Sequence, residues 1–282
     1  MILENPFKNV DMEDLKKLRT GFDSLDSIIG GFHYGNLITL AGRPCMRTEY
    51  FTYSLLRNWL NDETVNEDVV FFSLRTREEL VTHRIGLQVA DGKETMKWTA
   101  EYHLRGLELS NLCNKIRSYV WNEQKRVFVI DNFNFIETRG DYDLRYHRQM
   151  IAKELCKLAH ELEVIIIVDA MLFSYYIGDG EGMEGKYPSL ADLGYQGMSG
   201  DLDVFSDMVL GFWSPEKYHI YQNEKGEDLR GILEIEVLKN VNNDYSEGRR
   251  VSLYMNGETL CTENPMKRQD LNPFNSTATG PF

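Results

Sequence analysis

Three runs along the chain are continuously apolar rather than alternating: "DVVFFSL" at 68–74, "KRVFVID" at 125–131 and "EVIIIVDA" at 163–170. Each is short and rich in β-branched or aromatic residues, as strands covered on both faces of a parallel sheet require. A fourth run, Leu37 to Leu40, leads into a Gly-Arg-Pro turn. Between the strands lie stretches with helical spacing: "TEYFTYSLLRNWL", "REELVTHRIGLQ", "LSNLCNKIRSYVWNE" and "YHRQMIAKELCKLAHEL". The last is the clearest, with Met150, Leu155, Leu158 and Leu162 on one side, and it runs directly into the third strand. Strands alternating with helices predict an open α/β architecture around a mostly parallel sheet.

The pattern changes toward both ends. "DMEDLKKL" spaces Met12, Leu15 and Leu18 along one helical side, with acids in the first turn, and predicts a docking helix within residues 1–19. In "TGFDSLDSIIGG", Asp23 or Ser24 caps a single turn that paired glycines then break. In the final third, "DMVLGFW", "YHIYQN", "GILEIEVLKNV" and "RRVSLYMNGETL" are strand-like runs joined by Gly, Asn and Pro turns, which predicts an antiparallel extension of the sheet. Residues 263–282 are polar and rich in Pro and Gly, the composition of a loose tail. One main domain over 20–262 follows.

Composition narrows the function classes. The 282 residues, 42% of them hydrophobic, suffice for a substantial core. A net charge of -13 disfavours a protein that grips nucleic acid chiefly through phosphates. No apolar run approaches the ~18 residues of a membrane helix, and the start carries no signal-peptide core. Cys45, Cys113, Cys156 and Cys261 are scattered, with no C-x-x-C pair and no histidine read at metal-ligand spacing. The expectation is a cytoplasmic protein with reduced thiols, no metal centre and no membrane segment.

The stretch "LITLAGRPCMRTEYF" has the strand–loop–helix form of a phosphate cradle, with Gly42, Arg43, Pro44, Cys45, Met46, Arg47, Thr48 and Glu49 at the pocket positions. Where G-K-[ST] belongs in such a loop, the chain reads Arg47-Thr48-Glu49.

Taken in order, "TGFDSLDSIIGGFHYGNLITLAGRP", "FFSLRTREEL", "VFVIDNFNFI", "YPSLADLGYQGMSGDLDVFSDMVLGFWSPEKY" and "LEIEVLKNVNNDYSEGRRVSLYM" resemble the landmarks of the ATPase domain of DnaB-type replicative helicases. These form a branch of the RecA-like P-loop NTPases. The resemblance implies a RecA-like core with antiparallel strands added in the C-terminal third. The residues before Gly21 are too few for the family's separate N-terminal domain, so none is expected.

What the resemblance implies for the site is loss. In the family, backbone N–H groups cradle the phosphates, a lysine reaches the β/γ-phosphates and a Ser/Thr hydroxyl ligates Mg²⁺. Aligned without a gap, Arg47 stands for the glycine, Thr48 for the lysine and Glu49 for the hydroxyl residue. A one-residue deletion would instead set Arg47 at the lysine and Thr48 at the hydroxyl. Arg75 falls at the water-activating glutamate, and an arginine stays protonated across the working range. Asp131 keeps the Walker B position, where it would hold Mg²⁺ through water or serve only as a strand-end residue. Of the Lys-x-Arg pair donated to a neighbouring subunit, Lys239 remains and Val241 replaces the arginine. Met171-Leu172-Phe173 stand where the family senses phosphate with glutamine. Arg47, Glu49, Arg75 and Asp131 are expected to converge, with Glu49 paired to Arg75 or Arg47 in the old pocket.

The implied function is a catalytically inactive DnaB-like paralogue, acting by protein association in DNA replication or mobile-element DNA metabolism. Its partner would be a helicase ring or further copies of itself, and no ATP or Mg²⁺ is expected. A second reading is an ATP-dependent DNA helicase with an atypical loop, ATP and Mg²⁺ bound, and Glu78 or Glu79 as substitute base. A third is a non-hydrolysing single-stranded DNA binder. For that reading the loops around 132–147 and 174–195 would touch DNA, and Arg139, Tyr142, Arg145 and Arg148 supply a basic–aromatic mix.

Overall fold

The computed structural model describes residues 17–65, 67–85, 98–140, 143–172, 187–194, 201–257 and 259–262. Residues 12–16 of the expected N-terminal helix, the tail from 263, Tyr142, Phe173 and most of the loop 174–195 lie outside these residues, and Leu18, expected at the end of that helix, instead forms an antiparallel bridge with Phe32.

The chain enters through Leu18, whose backbone exchanges two hydrogen bonds with Phe32 around helix α1 (Asp23–Ile29). Phe22, not Asp23 or Ser24, holds the N-cap position, and Gly30 closes the helix at φ 74. The buried Asp26 carboxylate accepts from the Thr20 and Gly21 N–H groups and the Thr20 hydroxyl, which fastens this turn.

There follow β1 (Leu37–Gly42), α2 (Thr48–Asn61), β2 (Val69–Ser73), α3 (Glu78–Ile85), β3 (Trp98–Tyr102), β4 (Leu107–Glu108), α4 (Leu109–Glu123), β5 (Val127–Asp131), β6 (Ile136–Glu137), α5 (Leu144–Leu162) and β7 (Ile165–Met171). The final third holds α6 (Leu190–Gly194), α7 (Leu202–Phe205), β8 (Met208–Trp213), β9 (Ile232–Asn240), β10 (Arg250–Asn256) and β11 (Thr259–Cys261). The main sheet has the order β11-β10-β9-β8-β1-β7-β5-β2-β3.

Strands β8, β1, β7, β5, β2 and β3 run parallel, and β9, β10 and β11 extend the sheet antiparallel. Two expectations need correction. The "DMVLGFW" run is a parallel strand beside β1, because its six buried residues need cover on both faces. "YHIYQN" is not a strand: it holds the end of a 3₁₀ turn and an isolated bridge from Gln222 to Asp228. Strand β3, with a single fully buried end residue and a half-buried remainder, carried no continuous apolar run to reveal it.

Successive residues of each central strand serve opposite layers. Ile38, Phe71, Val129 and Ile167 pack with α1 and α2, while Phe72, Phe128, Ile130 and Ile166 pack with α4 and α5. Leu155, Leu158 and Leu162 bury the predicted side of α5. Among the described residues, no helix is long and apolar enough to cross a membrane.

Candidate functional site

Register sets the site. Asp131 ends β5 and lies directly beside Asp169 of β7, with Ser73 of β2 as the next neighbour. Two carboxylates therefore stand side by side at the C-terminal edge of the sheet, where open α/β folds bind ligands. Both face the layer of α2, the helix that follows the loop after β1. Asp131 was legible in the sequence; Asp169 was absorbed into an apolar strand and missed.

The loop joins the end of β1 to the start of α2 in a strand–loop–helix path. Gly42 closes β1, and a Cβ there would meet the Thr48 methyl at 2.5 Å. Cys45 and Arg47 adopt left-handed backbone conformations, φ 68 and 63, and Arg47 is the N-cap of α2. A left-handed non-glycine residue costs about 1–2 kcal/mol, so Arg47 occupies a position shaped for glycine. Arg43 is buried and reaches Asp192 of α6 at 3.2 Å. Met46 is buried, and its sulfur accepts the Ser214 N–H.

The expected pairing of Glu49 does not form. Among the described residues no ion pair joins Glu49 to Arg75 or Arg47. Arg47 turns outward to Glu216 at 2.9 Å, whose carboxylate also accepts the Gly231 N–H and is held below its usual range by that bond and by Arg47. Arg75 instead contacts the two aspartates, 3.0 Å from Asp131 Oδ1 and 3.6 Å from Asp169 Oδ2. Thr76 adds a hydroxyl donated to Asp131 Oδ2 at 3.3 Å.

The electrostatics follow from burial. Both aspartate side chains are 2–3% exposed. Burial raises the Asp131 pKa against the pull of Arg75 and Thr76. Burial, then the Asp131 charge, pushes Asp169 up to about 8, and Arg75 offsets part of this. Burial works against the Arg75 charge, but the two aspartates outweigh it and hold its pKa above the ordinary value. Asp169 Oδ2 makes no hydrogen bond within the described structure. One guanidinium thus faces two buried carboxylates.

The cavity over this cluster is about 240 Å³ and is lined by the loop from Gly42 to Cys45, Thr48, Glu49, Arg75, Asn132, Asp169 and Met171. A second cleft of about 540 Å³ meets it at Cys45 and Glu49, and Arg47 and Glu216 line that cleft. Where the resemblance would set a phosphate sensor, the Met171 N–H donates to Asn134 Oδ1 and the Leu172 N–H to the Gly42 carbonyl.

The other sequence candidates lie elsewhere. Lys239 donates to the carbonyls of Asp203 and Val204 at 3.0 and 3.1 Å, and Val241 is exposed. Glu78 and Glu79 are exposed on the first turn of α3. Arg148 is committed inward, donating to the Phe133 and Asn134 carbonyls. Arg139 pairs with Glu108 at 2.8 Å, and Arg145 lies 3.8 Å from Asp201.

Comparison with known proteins agrees with this architecture. The profile of the DnaB-like helicase C terminal domain matches residues 17–101. A replicative DNA helicase DnaB of Geobacillus stearothermophilus is 24% identical over 271 residues, covering 86% of this chain and 57% of the relative. One from Rickettsia bellii is 27% identical over 239 residues, covering 73% and 46%. The chain spans about half the length of the curated relatives it matches. A solved ATPase domain superposes with a TM-score of 0.70 at 20% identity, covering 89% of this chain and 92% of that one. A solved DnaB-like replicative helicase, described with its primase interactions, gives 0.69 at 19%, covering 88% and 62%. The resemblance to the DnaB-type helicases therefore holds, and the fold is RecA-like.

Proposed function

We propose that this chain is a non-hydrolysing DnaB-like protein that acts by association, with a helicase ring or with further copies of itself, in DNA replication or mobile-element DNA metabolism. The observation that carries the reading is the Arg75 guanidinium set between Asp131 and Asp169. A hydrolytic site of this kind needs a divalent cation near Asp131 and a base beside the attacking water. Arg75 supplies a fixed positive charge at the first place and no base at the second. Glu49, at the start of α2, adds an anion where phosphate oxygens would arrive, and Thr48 brings no cation. The residues present do not fit a magnesium-bound nucleoside triphosphate.

Charge stabilisation is the main work of a phosphoryl-transfer site, so a scaffold without it retains its surfaces and loses turnover. The relatives carry names of replicative helicases, and one solved relative is described with primase. Those names support association with replication proteins as the remaining use of the fold. Sedimentation of the chain alone and mixed with a replicative helicase tests it. Co-sedimentation or self-assembly is expected; a monomer indifferent to the helicase contradicts the reading.

The reading that competes is an ATP-dependent helicase with an atypical loop. The observation favouring it is that the two cavities adjoin at Cys45 and Glu49, which gives room for a phosphate end and a base end together. Single-stranded DNA binding without turnover is less favoured. Arg148 is spent on backbone carbonyls, and Arg139 already faces Glu108.

A further inference from the structure

Away from the pocket, α5 and the residue ahead of β8 bring three metal-ligating side chains together. Cys156 and His160 stand one helical turn apart and so project from the same face of α5. Asp207 immediately precedes β8. One ligand atom from each of the three lies within 4.8 Å of the others. Cys156 Sγ is 3.9 Å from both ring nitrogens of His160. His160 Nε2 is 3.0 Å from Asp207 Oδ2 and 3.1 Å from Oδ1.

These separations suit a small tetrahedral ion. Zinc bonds of about 2.3 Å to sulfur and about 2.0–2.1 Å to nitrogen or oxygen set neighbouring ligand atoms roughly 3.3–3.6 Å apart. The observed 3.0 and 3.9 Å lie on either side of that range. The carboxylate is also pre-oriented. Asp207 Oδ2 accepts the Leu37 N–H at 2.8 Å, a supporting hydrogen bond of the kind that fixes metal ligands. The nearby Lys239 ammonium is engaged by the Asp203 and Val204 carbonyls. The Asp207 side chain is 14% exposed and the His160 side chain 52% exposed, so solvent reaches a fourth position.

We propose that Cys156, His160 and Asp207 bind one zinc-class divalent cation, with water as the fourth ligand. A thiolate, an imidazole and a carboxylate form a borderline-soft set that selects zinc over magnesium or calcium. Binding releases the thiol proton to solvent, since the thiolate is the ligand. The ion joins α5 to the start of β8 and, through the Leu37 bond, to the start of β1. Its role is structural: it adds stability that rises with the logarithm of free ion concentration above its Kd. The Cys-x-x-x-His spacing was present in the sequence, but its third ligand comes from 47 residues farther on.

Cobalt titration of the full chain tests the site, because a thiolate–cobalt bond gives a near-ultraviolet charge-transfer band and tetrahedral cobalt gives intense visible bands. The expected result is saturation at one equivalent, displacement by zinc, and a higher unfolding temperature with zinc. Cys156→Ser removes the charge-transfer band, His160→Ala weakens binding by about tenfold or more, and Cys261→Ser leaves both unchanged. Should Cys156→Ser fail to fold, His160→Ala decides the matter, since its ring is half exposed. A band that persists undiminished in His160→Ala, or cobalt uptake without a thiolate band, overturns the proposal.

Discussion

Arg75 places a guanidinium nitrogen 3.0 Å from Oδ1 of Asp131, so a permanent cation stands against the carboxylate that ends β5. The same nitrogen lies 3.6 Å from Asp169, whose side chain is 3% exposed. Removing the cation leaves two neighbouring carboxylates in a dry site. Breaking such a pair from one side costs about 3–5 kcal/mol when both partners are buried, and Arg75, 30% exposed, belongs at the lower end. Arg75→Ala is therefore expected to lower the urea midpoint strongly. Adding Asp169→Asn should recover part of the loss, because it removes the repulsion. A full, undiminished loss in the double variant would show that Asp169 does not share the charge.

Stability should also depend on pH through Asp169. Its folded pKa lies above the ordinary carboxylate value, so in the window between that ordinary value and about pH 8 the folded chain binds more protons than the unfolded one. The slope of stability with pH is then negative: this contribution is fully present below the ordinary carboxylate value and is lost as pH rises to the folded pKa. Asp131, raised in the same direction, acts with the same sign. Thermal unfolding at a series of pH values checks this, and Asp169→Asn should flatten the fall above pH 6.

Arg47 carries opposing terms. Its φ of 63 strains any residue with a Cβ, while its pair with Glu216 at 2.9 Å, partly exposed, contributes at most about 1 kcal/mol. Arg47→Gly loses the pair and relieves the strain, so its net effect should be near zero. Arg47→Ala loses the pair and keeps the strain, and should be about 1 kcal/mol less stable than the glycine variant. Equal stabilities of the two variants, measured by denaturant unfolding, would contradict the left-handed backbone at this residue.

Much of the fold could be read from the sequence because its strongest signals are local. Continuous apolar runs marked β2, β5 and β7, and helical spacing marked α2, α4 and α5 almost to their ends. Strand β3 was missed because an edge strand needs cover on fewer sides and carries a mixed pattern. The direction of β8 was misread because chain order near the end said antiparallel, whereas its neighbour β1 is about 170 residues away. The site was half legible. The loop from Gly42 to Glu49, Arg75 and Asp131 was identified through resemblance; Thr48, Glu49 and Arg75 line one cavity and Arg75 meets Asp131, whereas Arg47 turns to Glu216. Asp169 was hidden in an apolar strand, and only the register with Asp131 brings it into the cluster. That second aspartate explains why Arg75 turns to the sheet edge and leaves Glu49 without it.

The central claim is that a fixed cation on Asp131 and Asp169 has replaced the chemistry of nucleotide hydrolysis. The most direct test is phosphate release from Mg-ATP by the full chain, measured with and without single-stranded DNA, beside calorimetric titration of the same nucleotide. No turnover above a buffer control is expected, whether or not DNA is present. Micromolar binding accompanied by DNA-stimulated phosphate release would contradict it.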